Sequence, residues 1–186
     1  MVGGDGPDSR GNDTAADGKG GDIIYGGPGE DFLFNGRGFD VFYMGSGRLD
    51  DVEDGPGDDV YIGQGGNDGV AFFGGGADVF LGGRGRDNVS VEAGPGGAVI
   101  DLSAGRIRGT GRDTVRSVED AVGSLGPDIL IGKGSRNRLF GQGGDDYIEG
   151  RRGGDFLDGG PGTDLLNGGN GSDTCETGET VLNCEN

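Results

Sequence analysis

The sequence predicts an all-β solenoid, a chain of short strands wound into repeating turns. Three observations predict it. Glycine fills 49 of 186 positions, so the chain turns often and can build little core. Glycine and aspartate recur with a nine-residue step, the mark of a stacked structural repeat. An apolar residue follows each repeating acid by two places, as the inward face of a short strand requires.

The repeat fixes the register. Residues 26–34 read GGPGEDFLF, 82–90 GGRGRDNVS, 159–167 GGPGTDLLN and 168–176 GGNGSDTCE, each of the form GGxGxDxUx with U apolar. Aligned on the sixth position, a ladder runs Asp13, Asp22, Asp31, Asp40, Asp50, Asp59, Asp68, Asp78, Asp87, stepping by nine except for ten at Asp50 and Asp78. A second runs Asp128, Asn137, Asp146, Asp155, Asp164, Asp173, stepping by nine throughout. Two places on stand Ala15, Ile24, Leu33, Phe42, Val52, Tyr61, Val70, Phe80 and Val89, then Leu130, Leu139, Ile148, Leu157, Leu166 and Cys175. The alignment used only the acids, so this apolar column is an independent check. It divides the chain into a first array (8–91, nine repeats), a spacer (92–122), a second array (123–176, six repeats) and a C-terminal cap (177–186).

Composition says what holds the turns together. Hydrophobic residues make up 31%, too few to offset the chain entropy of folding unaided. With 33 acidic against 15 basic residues the formal net charge is −18, which repels nucleic acid and anionic membrane and attracts cations. The absence of histidine removes His-dependent triads, HExxH zinc sites and His-ligated haem. Lys19 and Lys133 are the only lysines, and neither completes a phosphate-binding loop. No apolar run approaches the roughly 20 residues of a membrane-spanning helix. The opening residues are not a secretion leader, which fits a leader already removed or a segment of a longer protein.

On the four strict copies, the sequence resembles the hemolysin-type calcium-binding repeat family (RTX nonapeptides) over about residues 8–176. The resemblance implies a right-handed parallel β-roll with two nonapeptides per turn and calcium in the loops. The residue types agree. Glycines at positions one, two and four let a loop take positive φ and bring its carbonyls together. Calcium wants six to eight oxygens at roughly 2.3–2.6 Å, which one loop half supplies and the next loop on the same edge completes.

The expected metal ligands are Asp22, Asp31, Asp40, Asp59, Asp68, Asp78, Asp87, Asp128, Asp146, Asp155, Asp164 and Asp173. Asp13 (a degenerate first turn), Asp50 (one residue inserted) and Asn137 (charge lost) stand in imperfect loops. The candidate carbonyls are those of Gly27, Gly29, Gly83, Gly85, Gly160, Gly162, Gly169 and Gly171. With two repeats per turn, rungs two apart share an edge: Asp13, Asp31, Asp50, Asp68, Asp87 on one and Asp22, Asp40, Asp59, Asp78 on the other. The second array gives Asp128, Asp146, Asp164 and Asn137, Asp155, Asp173. Adjacent pairs allow at most about eleven ions, and about ten would bring +20 against the −18.

Positions seven and nine point outward, and after Asp22, Asp40, Asp59 and Asp78 they are all apolar: Ile23/Tyr25, Val41/Tyr43, Val60/Ile62 and Val79/Leu81. Such a face suits docking on another domain, a second copy or a surface glycan; strand propensity alone is the plainer explanation. The spacer contains a strand in AVIDLSAG (98–105) and a basic loop with Arg106, Arg108, Arg112 and Arg116, whose charges answer neighbouring acidic loops. DTVRSVEDAVGS (113–124) then leads into the second array. A disulfide between Cys175 and Cys184 would cap the array and place it in an oxidising compartment. Two free thiols, with Cys175 filling a core position, are the alternative.

The sequence therefore predicts an extracellular module that folds on binding several calcium ions and serves as a folding or spacer element, such as the C-terminal part of a secreted hydrolase, toxin or adhesin. The alternative is a carbohydrate- or surface-binding module using the face around Tyr25, Tyr43 and Ile62. No enzyme is expected: acid pairs such as Asp58/Asp59 and Asp145/Asp146 lie in the calcium loops, where ligation keeps them ionised and poor as proton donors.

Overall fold

The computed structural model describes residues 12–185. Among them there is no helix, and strands of two to five residues alternate with glycine-rich turns. They form two compact units, one running through Val89 and taking in Gly111–Val118, the other made of Ser90–Thr110 and the chain from Glu119 onward.

In the first unit the chain alternates between two parallel sheets. One, the tyrosine sheet, stacks Ile23–Gly27, Val41–Gly45, Val60–Ile62, Val79–Leu81 and Arg112–Arg116. The opposite sheet stacks Thr14–Ala16, Phe32–Phe34, Asp51–Glu53 and Gly69–Phe72. Ile24 pairs with Phe42 and Leu33 with Val52, so a full turn takes two repeats. The residue inserted before Asp50 is absorbed in the turn around Arg48 and Leu49, both exposed, and the strand after it keeps register.

The second unit repeats the plan. Val99–Asp101, Ile129–Ile131, Tyr147–Glu149, Leu165–Asn167 and Thr180–Leu182 form one parallel sheet. Asp120–Val122, Arg138–Phe140, Phe156–Asp158 and Thr174–Glu176 form the other. Together the units are an all-β architecture of parallel rolls, as the repeat predicts.

The spacer differs from the expected basic loop. Arg106–Arg108 is a strand, antiparallel to Val99–Asp101, and Arg106 pairs with Asp101 at 3.7 Å. Arg112–Arg116 joins the first unit, Thr114 beside Val79, rather than leading straight into the second array. The reason is a frame hidden in the spacer: GTGRDTV supplies glycines, an acid at 113 and an apolar Val115, which is buried like any position eight.

The core is one side chain deep. Ile24, Leu33, Phe42, Val52, Tyr61, Val70, Phe80 and Val89 are buried in the first unit, and Leu130, Leu139, Ile148, Leu157 and Leu166 in the second. Each contributes about 1.5–3 kcal/mol by leaving water. Close stacking of the turns is what glycine permits: Gly85, at φ 131°, lies so near the Gly66 carbonyl that a Cβ would strike it.

Candidate metal centres

The repeating acids line the roll edges in hydrogen-bonded columns. On one edge of the first unit, the N–H groups of Asp22, Asp40 and Asp59 donate to Oδ1 of Asp40, Asp59 and Asp78 at 2.7, 2.7 and 2.8 Å. On the other, Asp13, Asp31 and Asp68 donate to Oδ1 of Asp31, Asp50 and Asp87 at 2.8, 2.9 and 2.9 Å. In the second unit Asp128 donates to Asp146 and Asp146 to Asp164, at 2.8 and 2.9 Å. Asn137 donates to Asp155 and Asp155 to Asp173, both at 2.7 Å. The columns follow the four edge groupings expected from the repeat, with a break between Asp50 and Asp68, whose Oδ1 meets no donor, and the acids from Asp22 to Asp173 are buried in them, with Asp13 half-buried.

Oδ1 is thus accounted for in most of these acids, and the second oxygen takes a partner in Asp59, from Asn35 Nδ2 at 2.7 Å, and in Asp128, from the Ser124 N–H at 2.5 Å, but not in most of the others. Oδ2 of Asp31, Asp40, Asp50, Asp68, Asp146, Asp164 and Asp173 is buried without a hydrogen-bond partner. The first-position glycine shows where it points. A Cβ on Gly150 would lie 2.6 Å from Asp155 Oδ2 and 2.7 Å from the Gly168 carbonyl oxygen of the next turn. One on Gly141 would strike Asp146 Oδ2 and lie 2.6 Å from the Gly159 oxygen. Each loop keeps a small space that its own carboxylate and the next turn's carbonyl both border.

Burial makes several of these acids hold their protons to higher pH than a free carboxylate. Asp50 and Asp59 are pushed up to about 6, and Asp68 and Asp146 to about 7, by desolvation first. For Asp68 the charges of Asp50 and Asp87 add to it. Asp78 moves up for the same leading reason. Leaving ionised oxygens buried and unpaired is costly, so the arrangement calls for a cation. Carboxylate and carbonyl oxygens, with no sulfur or imidazole, suit a hard ion, and calcium fits this donor set.

The imperfect loops divide. Asp50 stays buried in its column despite the insertion and accepts the Asp31 N–H, while Asp68 Oδ1, the next in the column, meets no donor. Asn137 satisfies itself: its Oδ1 accepts the Lys133 N–H at 2.8 Å, and its Nδ2 donates to the Glu119 carbonyl at 2.6 Å. Of the candidate carbonyl residues, Gly27 ends the strand Ile23–Gly27, Gly85 and Gly171 lie in the two-residue strands Arg84–Gly85 and Asn170–Gly171, and Gly29, Gly83, Gly160, Gly162 and Gly169 lie between strands. At position two the backbone is left-handed whether the residue is Gly27, Gly83, Gly160 and Gly169 or Gln64, Gln142 and Arg151.

Several residues escape a reading confined to position six. Asp113 extends the Asp22–Asp78 column, accepting the Asp78 N–H at 3.2 Å. Asp17 and Asp54 occupy position one, where the strict repeats have glycine. Oxygens of Asp17, Asp22 and Asp40 lie within 4.8 Å of one another, as do oxygens of Asp54, Asp59 and Asp78. Asp17 is pushed up to about 6 by burial and then by Asp40. The Gly36 amide approaches Asp17 and offsets part of that, without reaching hydrogen-bond geometry. At the C-terminus Glu179 Oε2 accepts the Asp164 N–H at 2.5 Å and Glu185 Oε2 the Asp173 N–H at 2.9 Å. Both glutamates take the place of a further rung.

Cys175 and Cys184 form a disulfide, with Cα atoms 5.9 Å apart, and Cys175 stacks beside Leu157. On the outer face of the tyrosine sheet Tyr25 and Tyr43 stack at 4.9 Å, and Ile23 and Tyr25 are about half exposed (51% and 48%). Val41, Val60, Ile62, Val79 and Leu81 continue that face, half-buried.

A sequence model of the RTX calcium-binding nonapeptide repeat matches four times, at residues 8–42, 74–94, 122–157 and 143–175. No curated protein matches the chain.

Proposed function

The chain belongs to the RTX calcium-binding nonapeptide repeat family, and from that premise we propose that it is an extracellular module folded by calcium, a folding or spacer element rather than an enzyme. The observation that carries this is the row of buried, unpartnered Oδ2 atoms facing the next turn's carbonyls. In this reading Asp22, Asp31, Asp40, Asp50, Asp59, Asp68, Asp78 and Asp87 hold ions in the first unit, and Asp128, Asp146, Asp155, Asp164 and Asp173 in the second. A bound ion supplies the positive charge that lets these groups stay ionised while buried. Extracellular calcium is high enough to load sites of modest affinity, and the disulfide suits an oxidising space. Isothermal titration of chelator-treated protein should show several calcium ions bound per chain; no uptake at millimolar calcium would overturn the proposal.

A second reading, compatible with the first, rests on the exposed Tyr25–Tyr43 stack. There the tyrosine sheet docks on another domain, a second copy or a surface glycan. Tyr43→Asp combined with Ile62→Asp should then change the oligomeric state or abolish glycan retention. Unchanged stability, assembly and glycan retention would remove this reading.

A further inference from the structure

At the start of the tyrosine-sheet edge, Asp17 follows the strand Thr14–Ala16 and stands where the strict repeats have glycine. A side chain at this position enters the space that a first-position glycine leaves open. Its oxygen lies within 4.8 Å of oxygens from both Asp22 and Asp40. That span is the widest that two oxygens bound to one ion at about 2.4 Å can reach, so any two of the three can share a calcium. Two further observations point to a ligand. Asp40 is completely buried, and its Oδ2 has no hydrogen-bond partner. Both Asp17 oxygens are shielded from solvent and likewise lack one. Gly36, one turn on, keeps the space clear: a Cβ there would strike Asp17 Oδ1.

Asp54, the other first-position acid among the described residues, differs. Its Oδ1 accepts from the Tyr61 hydroxyl at 2.6 Å and its Oδ2 from the N–H groups of Phe73 and Gly74 at 3.3 and 3.0 Å. Those bonds tie it into the scaffold. Asp17 has no such ties.

We propose that Asp17 is a third carboxylate ligand of a calcium site completed by Asp22 and Asp40. The proposal rests on the calcium reading above and adds to it a residue outside the repeating rung. Affinity in oxygen sites rises with the number of charged ligands, so this turn takes its ion at lower calcium than the two-carboxylate turns do.

The test is calorimetric titration of the full chain, stripped with chelator, with calcium alone. Asp17→Asn and Asp17→Gly are compared with wild type, and Glu53→Gln removes one charge from an outer face. In wild type one ion should bind ahead of the rest. In both Asp17 variants that step should weaken roughly tenfold or vanish while the remaining ions bind as before. Glu53→Gln should titrate like wild type. Asp17→Gly restores the residue of the strict repeats, so loss of the early step there is not misfolding. Wild type that binds calcium with a curve superimposable on that of Asp17→Asn overturns this inference alone, as does an equal loss in Glu53→Gln. Wild type that takes up no calcium overturns the underlying reading as well.

Discussion

A buried aspartate at a roll edge has two oxygens to satisfy, and the backbone one turn back satisfies only one. Oδ1 of Asp50 takes the Asp31 N–H at 2.9 Å, whereas its Oδ2 meets no donor. Without a cation the cheaper course is to keep the proton, which is why burial pushes Asp50 to about 6 and Asp68 and Asp146 to about 7. In the unfolded chain these groups titrate near 3.8. Stability from a raised acid is complete below the unfolded value and is lost as pH climbs through the folded one. In chelator, thermal melts followed by circular dichroism should therefore show a more stable chain at pH 5 than at pH 8, the loss falling between about pH 4 and 7. Saturating calcium should reverse the order, because protons then compete with the ion. Greater stability at pH 8 in chelator would contradict the assignment of these acids. Which residues form the columns was legible in the sequence, because the nine-residue step and the apolar residue two places on are independent signals. Asp17 and Asp54 were not, since a reading anchored on position six passes over an acid at position one.

At the scale of elements, strands were legible where the period held and obscure where it broke. The extra residue before Asp50 leaves the next strand in register, because a turn can bulge without moving the strand after it. The spacer misleads for a related reason. Asp113 is 26 residues beyond Asp87, off the nine-residue lattice, so Arg112–Arg116 reads as a lead-in to later repeats although it pairs with Val79–Leu81. The C-terminal cap was legible through its cysteines alone. Glu179 and Glu185 do the work of aspartates there, but at spacings the repeat does not predict. Glu179 lies in the loop closed by the Cys175–Cys184 bond, nine residues apart in sequence, and Glu185 directly follows it. Replacing both cysteines by serine should cost about 2–3 kcal/mol in denaturant unfolding at saturating calcium, by freeing the unfolded chain. An unchanged midpoint would show that Thr180–Leu182, held on Leu165–Asn167, needs no covalent tie.

For the molecule as a whole, the balance of forces follows from composition. The two-sheet rolls enclose a core one residue deep, and buried acids flank it on both edges. A chain with a net charge of −18 resists its own compaction, so in the proposed reading folding depends on adding positive charge at those edges. That coupling is the central claim: the cation supplies the folding energy a larger core would otherwise supply. The most direct measurement is far-UV circular dichroism of metal-stripped protein titrated with calcium, with magnesium as control. The account predicts a cooperative gain of β signal with calcium, reversed by chelator and not reproduced by magnesium at the same concentration, because the smaller ion demands a tighter octahedral shell. A stripped chain already fully β at neutral pH, its spectrum unmoved by calcium, would contradict it.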